Sequence, residues 1–242
     1  MGTALMQGDT CNLCRYQGSQ FRYRGHRNPV LNRLQVIGAQ RRKANCPRCG
    51  SSDRDRLSYA GITQRIAFGP QPRILHIAPE KQLSAALQSW LKVKHPDAQY
   101  LGIDKRTGLY RYPSWVQDGD IRNLPVPDAH FDLVIANHVL EHIQSLDQAL
   151  KELKRCLKPG AYLLAQVPYS SLLEESSSSP QLNPIAKSLW QRKHHGQWDH
   201  EWLFGQDLKQ RMAQAGFGAH WTLPKANSLR INALEPLMLY QV

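Results

Sequence analysis

Residues 118–168 constrain the fold more than any other part of the chain, because they combine two apolar runs with one helix-period segment. The runs 131–136 and 162–167 lack the alternation of a half-exposed strand, which is typical of strands covered on both faces of a parallel sheet. The apolar spacing of residues 146–157 predicts a helix between them. Lys158-Pro159-Gly160 should end that helix, because Pro159 cannot continue it and Gly160 can adopt a left-handed turn. Strand, helix and strand in this order predict an α/β fold.

Four short motifs in this stretch resemble those of class I S-adenosylmethionine-dependent methyltransferases of the type-11 group. They are Leu124-Pro125-Val126-Pro127-Asp128, Phe131-Asp132-Leu133-Val134, Leu140-Glu141-His142 and Leu157-Lys158-Pro159-Gly160. The resemblance implies a doubly wound, seven-stranded Rossmann-like sheet and S-adenosylmethionine as the cofactor. Methyl transfer needs little acid–base chemistry, so the absence of a catalytic triad from the sequence is compatible with it.

The length of 242 residues allows one domain of about 150–180 residues and a small companion. We predict an N-terminal module over residues 1–60 and a methyltransferase domain over residues 61–242. No run of 18 apolar residues is present, and residues 1–7 lack the charged and apolar regions of a signal peptide. We therefore expect a cytoplasmic protein with no membrane partner.

The N-terminal module contains two Cys-x-x-Cys pairs, Cys11 with Cys14 and Cys46 with Cys49. Each pair places two sulfurs on one tight turn, and two such turns supply the four thiolates that a structural Zn²⁺ takes. The pairs resemble zinc-ribbon or rubredoxin-like knuckles, and so small a module has too little core to fold without its metal. The alternative is that the four thiols are free. Cys156 lies in a helical pattern and should not take part.

The net charge of +12 is concentrated at the N-terminus. Residues 1–66 hold 12 Lys and Arg against 3 Asp and Glu, a balance of +9. Six of these residues are candidates for a face that contacts RNA phosphates: Arg22, Arg24, Arg27, Arg41, Arg42 and Lys43. The alternative is a generally soluble surface.

The turn after the predicted strand 73–78 departs from the family pattern. The resemblance implies an acidic residue followed by a G-x-G-x-G loop, but His76 stands at the acidic position and Ala78, Glu80 and Gln82 stand at the glycine positions. The string ILHIAPE is similar to that of uncharacterised methyltransferase-like sequences that join two Cys-x-x-Cys pairs to a type-11 core. We expect the backbone near Ala78 and the Glu80 carboxylate to replace the glycine loop, with Glu80 accepting from the amino group of the cofactor.

Two acidic residues and their neighbours complete the predicted cofactor site. Asp104 ends the predicted strand 99–104, where a carboxylate can accept two hydrogen bonds from the ribose hydroxyls of a cofactor. The resemblance implies that Asp120, next to Ile121, binds the adenine amine. Asn137 follows the next predicted strand at the same edge of the sheet. The alternative for Asp104 and Asp120 is an ordinary capping or turn residue.

His138 and His142 are the candidate catalytic residues of the segment His138-x-x-Glu141-His142. His142 would line the substrate pocket as a base, or it simply packs at a helix start. The string also matches the inverted zinc-protease motif, but that motif needs a long helix, whereas these residues leave a strand. Some methyltransferases that act on vicinal hydroxyls bind a divalent ion through an E-x-x-E-H pattern, in which His138 would replace the first Glu.

The C-terminal third of the chain has the least regular pattern. Residues 169–197 have loop composition and suggest a lid-like insertion at about residues 170–200. A cluster rich in His and Trp follows at residues 194–202. The resemblance implies that this segment closes over the substrate, and the alternative is an amphipathic surface loop buried by two tryptophans. A helix over about residues 205–215 and a final hairpin of residues 219–223 and 237–242 complete the predicted fold.

Two functions of different classes remain open. The first is an S-adenosylmethionine-dependent methyltransferase with a zinc-stabilised substrate-recognition module, acting on a small molecule, a glycan or RNA. The second is a non-catalytic, degenerate methyltransferase fold that serves as a nucleic-acid-binding or scaffold protein, which the missing glycine loop and the basic module both favour.

Overall fold

The computed structural model describes residues 9–25, 27–37, 40–105, 113–224, 229, 231 and 234–242. Its strands are β1 (Arg22–Arg24), β2 (Arg42–Asn45), β3 (Arg73–Ile77), β4 (Gln99–Asp104), β5 (Val116–Asp118), β6 (Phe131–Ile135), β7 (Leu157–Leu164), β8 (Ser177–Ser178), β9 (Trp202–Leu203), β10 (Gly218–Thr222) and β11 (Leu237–Gln241). Its helices are α1 (Pro29–Arg33), α2 (Asp53–Arg65), α3 (Lys81–Lys94), α4 (Leu146–Cys156), α5 (Pro184–His194) and α6 (Leu208–Gln214), with a 3₁₀ turn at Leu140–His142.

Seven strands form the central sheet in the order β10-β11-β7-β6-β3-β4-β5. Strands β7, β6, β3, β4 and β5 are parallel, whereas β11 runs antiparallel to both β7 and β10. The two core clusters lie on opposite faces of this sheet, since alternate residues of β3 and β6 belong to one or the other. The predicted α/β class and the seven-stranded Rossmann-like sheet are confirmed.

The switch of direction between β3 and β6 positions the functional site. The chain moves from β3 outward to β4 and β5, then returns to β6 on the other side of β3. A crevice opens at the carboxyl ends of the strands where the order reverses, and ligands of open α/β sheets bind there. Ala78, Asp104 and Asn137 follow β3, end β4 and follow β6 respectively.

The turn at Gly160 lies inside β7 and not before it. Gly160 has φ +77° as predicted, but β7 begins at Leu157, which pairs with Phe131 before the register shifts. The prediction that the strand begins only at residue 162 was therefore wrong. Leu157 can extend the strand because the bend at Gly160 is absorbed as an irregularity in the pairing.

Helix α2 connects the cysteine-containing segment to the sheet. It begins with a capping box, in which Ser52 and Asp55 satisfy each other's backbone N–H groups. Gly61 faces Leu237 of β11 so closely that a Cβ would lie 2.5 Å from a Leu237 methyl carbon. The predicted module boundary at residue 60 falls within this helix, which runs to Arg65.

Arg56 of α2 lies at the centre of this connection and is fully buried. Its guanidinium donates to the carbonyl oxygens of Leu229 at 2.6 Å, Ser51 at 2.9 Å and Ala44 at 2.7 Å, and it stacks over Phe21 with 4.8 Å to the ring centroid. A buried charge is tolerated only when its donors are paired. Arg56 thus ties the β2 strand, the cysteine turn and the C-terminal segment to one helix.

Residues 169–197 contain more regular structure than their composition predicts. They include β8, which pairs with β9, and the helix α5. The loop prediction was wrong for α5, because Asn183 caps the backbone N–H of Ala186 and Pro184 occupies the first turn, where a missing N–H costs nothing. Asn183 followed by Pro184 is a helix-start signal that the sequence alone contains. In the part of the chain that the structure describes, no helix is both long and apolar enough to cross a membrane.

Candidate active site

Ala78 makes the turn from β3 into α3 with a left-handed backbone, at φ +47°. Its N–H donates to the carbonyl of Ile103 at 2.8 Å, which keeps the turn against β4. A non-glycine residue in this region is strained by roughly 1–2 kcal/mol, and such strain tends to collect at functional sites. The turn that glycine makes in the family pattern is therefore made here by an alanine.

His76 and Glu80 join the strand to the start of the helix. His76 is fully buried, and its Nε2 lies 2.7 Å from Glu80 Oε2, while its Nδ1 lies 2.5 Å from the Tyr100 hydroxyl. Burial, followed by the charge of Glu80, raises the pKa of Tyr100 well above its ordinary value, so Tyr100 keeps its proton and donates to Nδ1. The imidazole proton then lies on Nε2 and is donated to Glu80.

Glu80 is ionised and half-buried beside the crevice. Burial is the largest influence and alone would raise its pKa, but the hydrogen bond from His76 and the smaller contributions of neighbouring groups together outweigh burial, and the pKa lies below its ordinary value. The Glu80 side chain makes no capping hydrogen bond to α3. The carboxylate is thus positioned by His76 and not by the helix that it precedes.

Asp104 and Asp120 lie on adjacent segments at the same edge. The Asp104 carboxylate accepts from the N–H of Lys105, whose ammonium reaches Asp120 at 3.2 Å. Asp120 also accepts two hydrogen bonds from the Arg122 guanidinium, at 2.9 and 2.6 Å, and this partner holds the pKa of Asp120 far below its ordinary value. Ile121 is buried in the core beside them. An adenine amine at Asp120 would share its oxygens with Arg122.

Asn137 has a different position from the one expected of a ligand-binding side chain. It is buried, its amide N–H₂ donates to Ser58 of α2 at 3.1 Å, and its carbonyl oxygen accepts from the N–H of Gln166 at 3.2 Å. The side chain therefore connects the end of β6 to α2 and to the segment after β7, and both of its polar atoms are already paired within the protein.

Arg54 of α2 reaches into the edge from the N-terminal segment. Its guanidinium contacts Glu235 at 3.2 Å and His138 Nδ1 at 3.4 Å. Arg42 of β2 binds Asp53 through two nitrogens and reaches Glu235 at 3.5 Å. These ion pairs bring the β1–β2 hairpin, α2 and the segment before β11 to the carboxyl edge of the sheet.

The two predicted catalytic histidines flank Glu141, which is 1% exposed. His138 has φ +54°, and its Nδ1 lies 3.2 Å from Glu141 Oε1. Burial is the largest influence and would raise the pKa of Glu141, but the hydrogen bond from His138 and the contributions of the neighbouring histidines together outweigh burial, so the pKa lies below its ordinary value. His142 is 37% exposed and packs edge-to-face on His200, with 4.9 Å between ring centroids. Glu141, His142 and His200 place one potential ligand atom each within 4.8 Å of the others. These residues follow β6, and Leu140–His142 form a 3₁₀ turn. They do not lie on the long helix that the inverted zinc-protease motif needs.

The four predicted zinc ligands come together in the structure. The sulfurs of Cys11 and Cys49 lie 3.7 Å apart, those of Cys14 and Cys46 lie 3.6 Å apart, and all four lie within 4.8 Å of one another. Tetrahedral thiolates with a Zn–S distance near 2.3 Å would be separated by about 3.8 Å. The residues present therefore fit a zinc ion, whereas Cys156 is buried in the main core.

The predicted basic face is divided between two sides of the β1–β2 hairpin. Arg24 and Arg42 are opposite each other and half-buried on the side of Asp53. Tyr23 lies on the other side of the hairpin and is 57% exposed. The Arg41 guanidinium lies 4.3 Å and the Lys43 ammonium 5.7 Å from its ring centroid. Arg42 thus does not lie on the exposed face with Arg41 and Lys43, because the strand alternation turns it inward.

The sequence did not predict that four residues of the site, Arg54, Tyr100, His200 and Glu235, contact the others. His200 lies 58 positions after His142, and Tyr100 lies 24 positions after His76. Arg54 and Glu235 are separated by 181 positions. No local spacing connects such pairs, although the His-rich composition of residues 194–202 pointed to that segment.

Comparisons with known proteins match the central part of the chain. Residues 82–165 match the family model described as a methyltransferase domain. The chain is 53% identical over 45 residues to the ubiquinone/menaquinone biosynthesis C-methyltransferase of Laribacter hongkongensis, which covers 19% of this chain and 18% of that protein. It is 40% identical over 88 residues to norajmaline N-methyltransferase of Rauvolfia serpentina, which covers 36% of this chain and 27% of that protein.

A solved complex between the Haloferax volcanii Trm112 methyltransferase activator and a methyltransferase has a similar fold. The TM-score is 0.50 at 15% identity, and the alignment covers 78% of this chain and 90% of that chain. This likeness shows the fold alone. The chain spans less than a third of the length of either curated relative. The class I methyltransferase fold expected from the motifs is confirmed.

Proposed function

We propose that the protein is an S-adenosylmethionine-dependent methyltransferase whose N-terminal module is held by one zinc ion. The observation that carries this proposal is the carboxyl edge of the sheet, where the left-handed Ala78, Glu80 and Asp104 surround the point at which the strand order reverses. Cofactors of doubly wound folds bind at this point. The methyltransferase-domain match over residues 82–165 includes β4, β5 and β6, together with Asp104 and Asp120.

The cofactor would be held by the backbone of the Ala78 turn and by three carboxylates. Glu80 is ionised and oriented by His76, so it suits the amino group of the cofactor. Asp104 suits the two ribose hydroxyls, and Asp120 with Ile121 suits the adenine ring. S-adenosylmethionine supplies an activated methyl group, and these side chains would bind and orient it.

His138 and His142 are proposed to face the methyl acceptor. Both leave β6 at the same edge, and Glu141 fixes the ring of His138 through Nδ1. A base in this position could remove a proton from an acceptor hydroxyl or amine. The two curated relatives methylate carbon and nitrogen by their names, so the acceptor atom does not follow from similarity. The acceptor is proposed to be a small molecule, a glycan or RNA.

The zinc module would serve to position part of the site. Arg54 and Arg42 connect it to Glu235 and His138, so an ordered module fixes side chains at the carboxyl edge. We propose this role, together with the module range 1–60, the lid-like insertion over residues 170–200 and a cytoplasmic location.

Calorimetric titration with S-adenosylhomocysteine tests the proposal. We expect measurable binding by the wild type and its loss on Asp104→Ala with Asp120→Ala. Asp147→Ala is the matched control, because Asp147 is an exposed carboxylate in the first turn of α4. No binding at millimolar ligand would reject the enzyme and favour the non-catalytic scaffold, for which the same substitutions would change nothing.

A further inference from the structure

A second group of metal-ligand side chains lies apart from the cysteines. Glu141 and His142 come from the 3₁₀ turn after β6, and His200 comes from the segment before β9. Their potential ligand atoms lie within 4.8 Å of one another. An ion bound at about 2.0–2.2 Å from each ligand needs only modest side-chain rotation to draw them together.

Three buried polar atoms at this position have no hydrogen-bond partner among the residues that the structure describes. They are Glu141 Oε2, His138 Nε2 and His200 Nδ1. Glu141 is 1% exposed, so its unpaired carboxylate oxygen would cost several kcal/mol unless something bound it. Buried polar atoms in native proteins are almost always satisfied, so Glu141 Oε2 and His200 Nδ1, which belong to the group, mark a place for a bound ion or water.

A contact with a backbone carbonyl fixes which ring nitrogen of His142 is available to a metal ion. The carbonyl oxygen of Asp199 lies 3.1 Å from His142 Nδ1 and can only accept, so this nitrogen carries the proton and Nε2 keeps a lone pair. His138 lies beside this group, with its Nδ1 3.2 Å from Glu141 Oε1 and 3.4 Å from the Arg54 guanidinium. Metal-binding histidines are commonly oriented by a carbonyl or carboxylate on the other ring nitrogen.

Backbone contacts hold the two halves of the group together. The N–H of Glu201 donates to the carbonyl of Glu141 at 2.7 Å, and Trp202 Nε1 donates to the carbonyl of Ile143 at 3.0 Å. His200 is therefore fixed beside the 3₁₀ turn even though 58 positions separate it from His142. The arrangement is one of rigid segments and not of a chance meeting of surface side chains.

We propose that Glu141, His142 and His200 form a binding site for one divalent first-row transition-metal ion, with His138 beside it. Imidazole and carboxylate ligands suit ions such as Mn²⁺, Co²⁺ and Zn²⁺, whereas thiolates select softer ones. The site is thus chemically distinct from the four cysteines. Two histidines and one carboxylate leave at least one coordination position open.

The open position gives the ion a role that rests on the proposed function. An oxygen of the methyl acceptor could occupy it, and a bound divalent ion lowers the pKa of a coordinated hydroxyl. The acceptor would then be an oxygen nucleophile that binds metal, and His142 would serve as a ligand and not as the base. Metal binding itself does not depend on this role and can be measured without any methyl transfer.

Mn²⁺ titration of the full, zinc-loaded chain, followed by electron paramagnetic resonance, tests the site. Mn²⁺ competes poorly for thiolates, so the four cysteines do not contribute. We expect the wild type to bind about one Mn²⁺, and Glu141→Gln and His200→Ala to weaken that binding about tenfold or more, which is the scale seen when the surroundings of a metal are disturbed. His220→Ala is the control, because His220 is exposed on β10.

Circular dichroism melting separates loss of the site from loss of the fold. If Glu141→Gln does not fold, His142→Ala carries the test, because His142 is 37% exposed. If only water occupies the site, the wild type binds neither Mn²⁺ nor Co²⁺, and that result overturns the proposal. Variants that bind metal as tightly as the wild type also overturn it. Absence of metal with intact S-adenosylhomocysteine binding rejects this inference and leaves the proposed function standing.

Discussion

His76 Nε2 lies 2.7 Å from Glu80 Oε2, so a fully buried histidine of β3 holds the carboxylate that precedes α3. Tyr100 closes the chain of hydrogen bonds from the other ring nitrogen at 2.5 Å. This relationship gives Glu80 a fixed direction without any capping bond to its own helix. Position 80, where the resembled methyltransferase pattern has a glycine, thus holds an oriented negative charge.

The first prediction concerns Glu80→Gln. The amide keeps the shape of the side chain but loses the charge that would attract the cofactor's ammonium, so the affinity for S-adenosylhomocysteine should fall severalfold, equivalent to about 1 kcal/mol. Calorimetry measures this change. Glu174→Gln, an exposed carboxylate, should leave the affinity unchanged. Equal affinity for Glu80→Gln and the wild type would show that Glu80 does not contact the cofactor.

The second prediction is a pH dependence of stability. The pKa of Glu80 is lowered in the folded protein, so its contribution to stability is complete above the unfolded value of about 4.3 and is lost as pH falls through the lower folded value. The stability difference between wild type and Glu80→Gln should therefore be constant from pH 6 to about 5 and shrink below about pH 4. Denaturant unfolding at several pH values measures it. A difference that grows on acidification would contradict the assignment.

The third prediction uses the left-handed turn. Ala78→Gly removes strain at φ +47° of roughly 1–2 kcal/mol but adds about 0.4–1 kcal/mol of unfolded-chain entropy, so a net gain in stability of about 0.5–1 kcal/mol is expected. Ala85→Gly, in the middle of α3, should instead destabilise by about 1 kcal/mol. Urea unfolding compares the two. A destabilised Ala78→Gly would mean that the turn is not left-handed in solution.

The fourth prediction is that one zinc ion maintains the N-terminal module. Chelation should release close to one Zn²⁺ per chain and expose Phe21 and Arg56, which pack at the base of the cysteine cluster. Cys46→Ser should abolish zinc binding, whereas Cys156→Ala should retain it because Cys156 lies in the main core. Elemental analysis gives the stoichiometry. Fewer than about a tenth of chains carrying zinc after metal-replete expression would defeat the assignment.

The fifth prediction concerns the exposed side of the β1–β2 hairpin. Tyr23 offers an aromatic ring on which a nucleic-acid base can stack, and Arg41 and Lys43 beside that ring offer two positive charges to phosphates. If RNA binds, the slope of log affinity against log salt concentration should grow by about 0.7 to 0.9 per phosphate contact. The double variant Arg41→Ala with Lys43→Ala should therefore have a smaller slope and a weaker affinity. Fluorescence anisotropy at two salt concentrations measures this.

The matched control for the hairpin is Lys151→Ala with Lys154→Ala, which removes two exposed charges from α4. An equal loss of RNA affinity in both double variants would mean that only net charge matters. No RNA binding by the wild type at physiological salt would move the acceptor to a small molecule or glycan.

Local patterns in the sequence determined most of the fold. Apolar runs without alternation predicted β6 and the part of β7 that follows Gly160, because burial on both faces of a parallel sheet leaves no reason for alternation. The spacing of Leu146, Leu150 and Leu153 predicted α4, and the two Cys-x-x-Cys turns predicted the cysteine cluster, since each turn places its own pair of sulfurs.

Only the tertiary structure decided which distant side chains meet. The strand order places Tyr100 of β4 beside His76 of β3, and the return of the chain at β9 places His200 beside Glu141. The direction of Arg42 toward Asp53 and the burial of Arg56 likewise follow from the packing of the hairpin and α2 on the sheet. Sequence periodicity reports which face of an element is apolar, whereas contacts between elements depend on register and direction, to which no local spacing is sensitive.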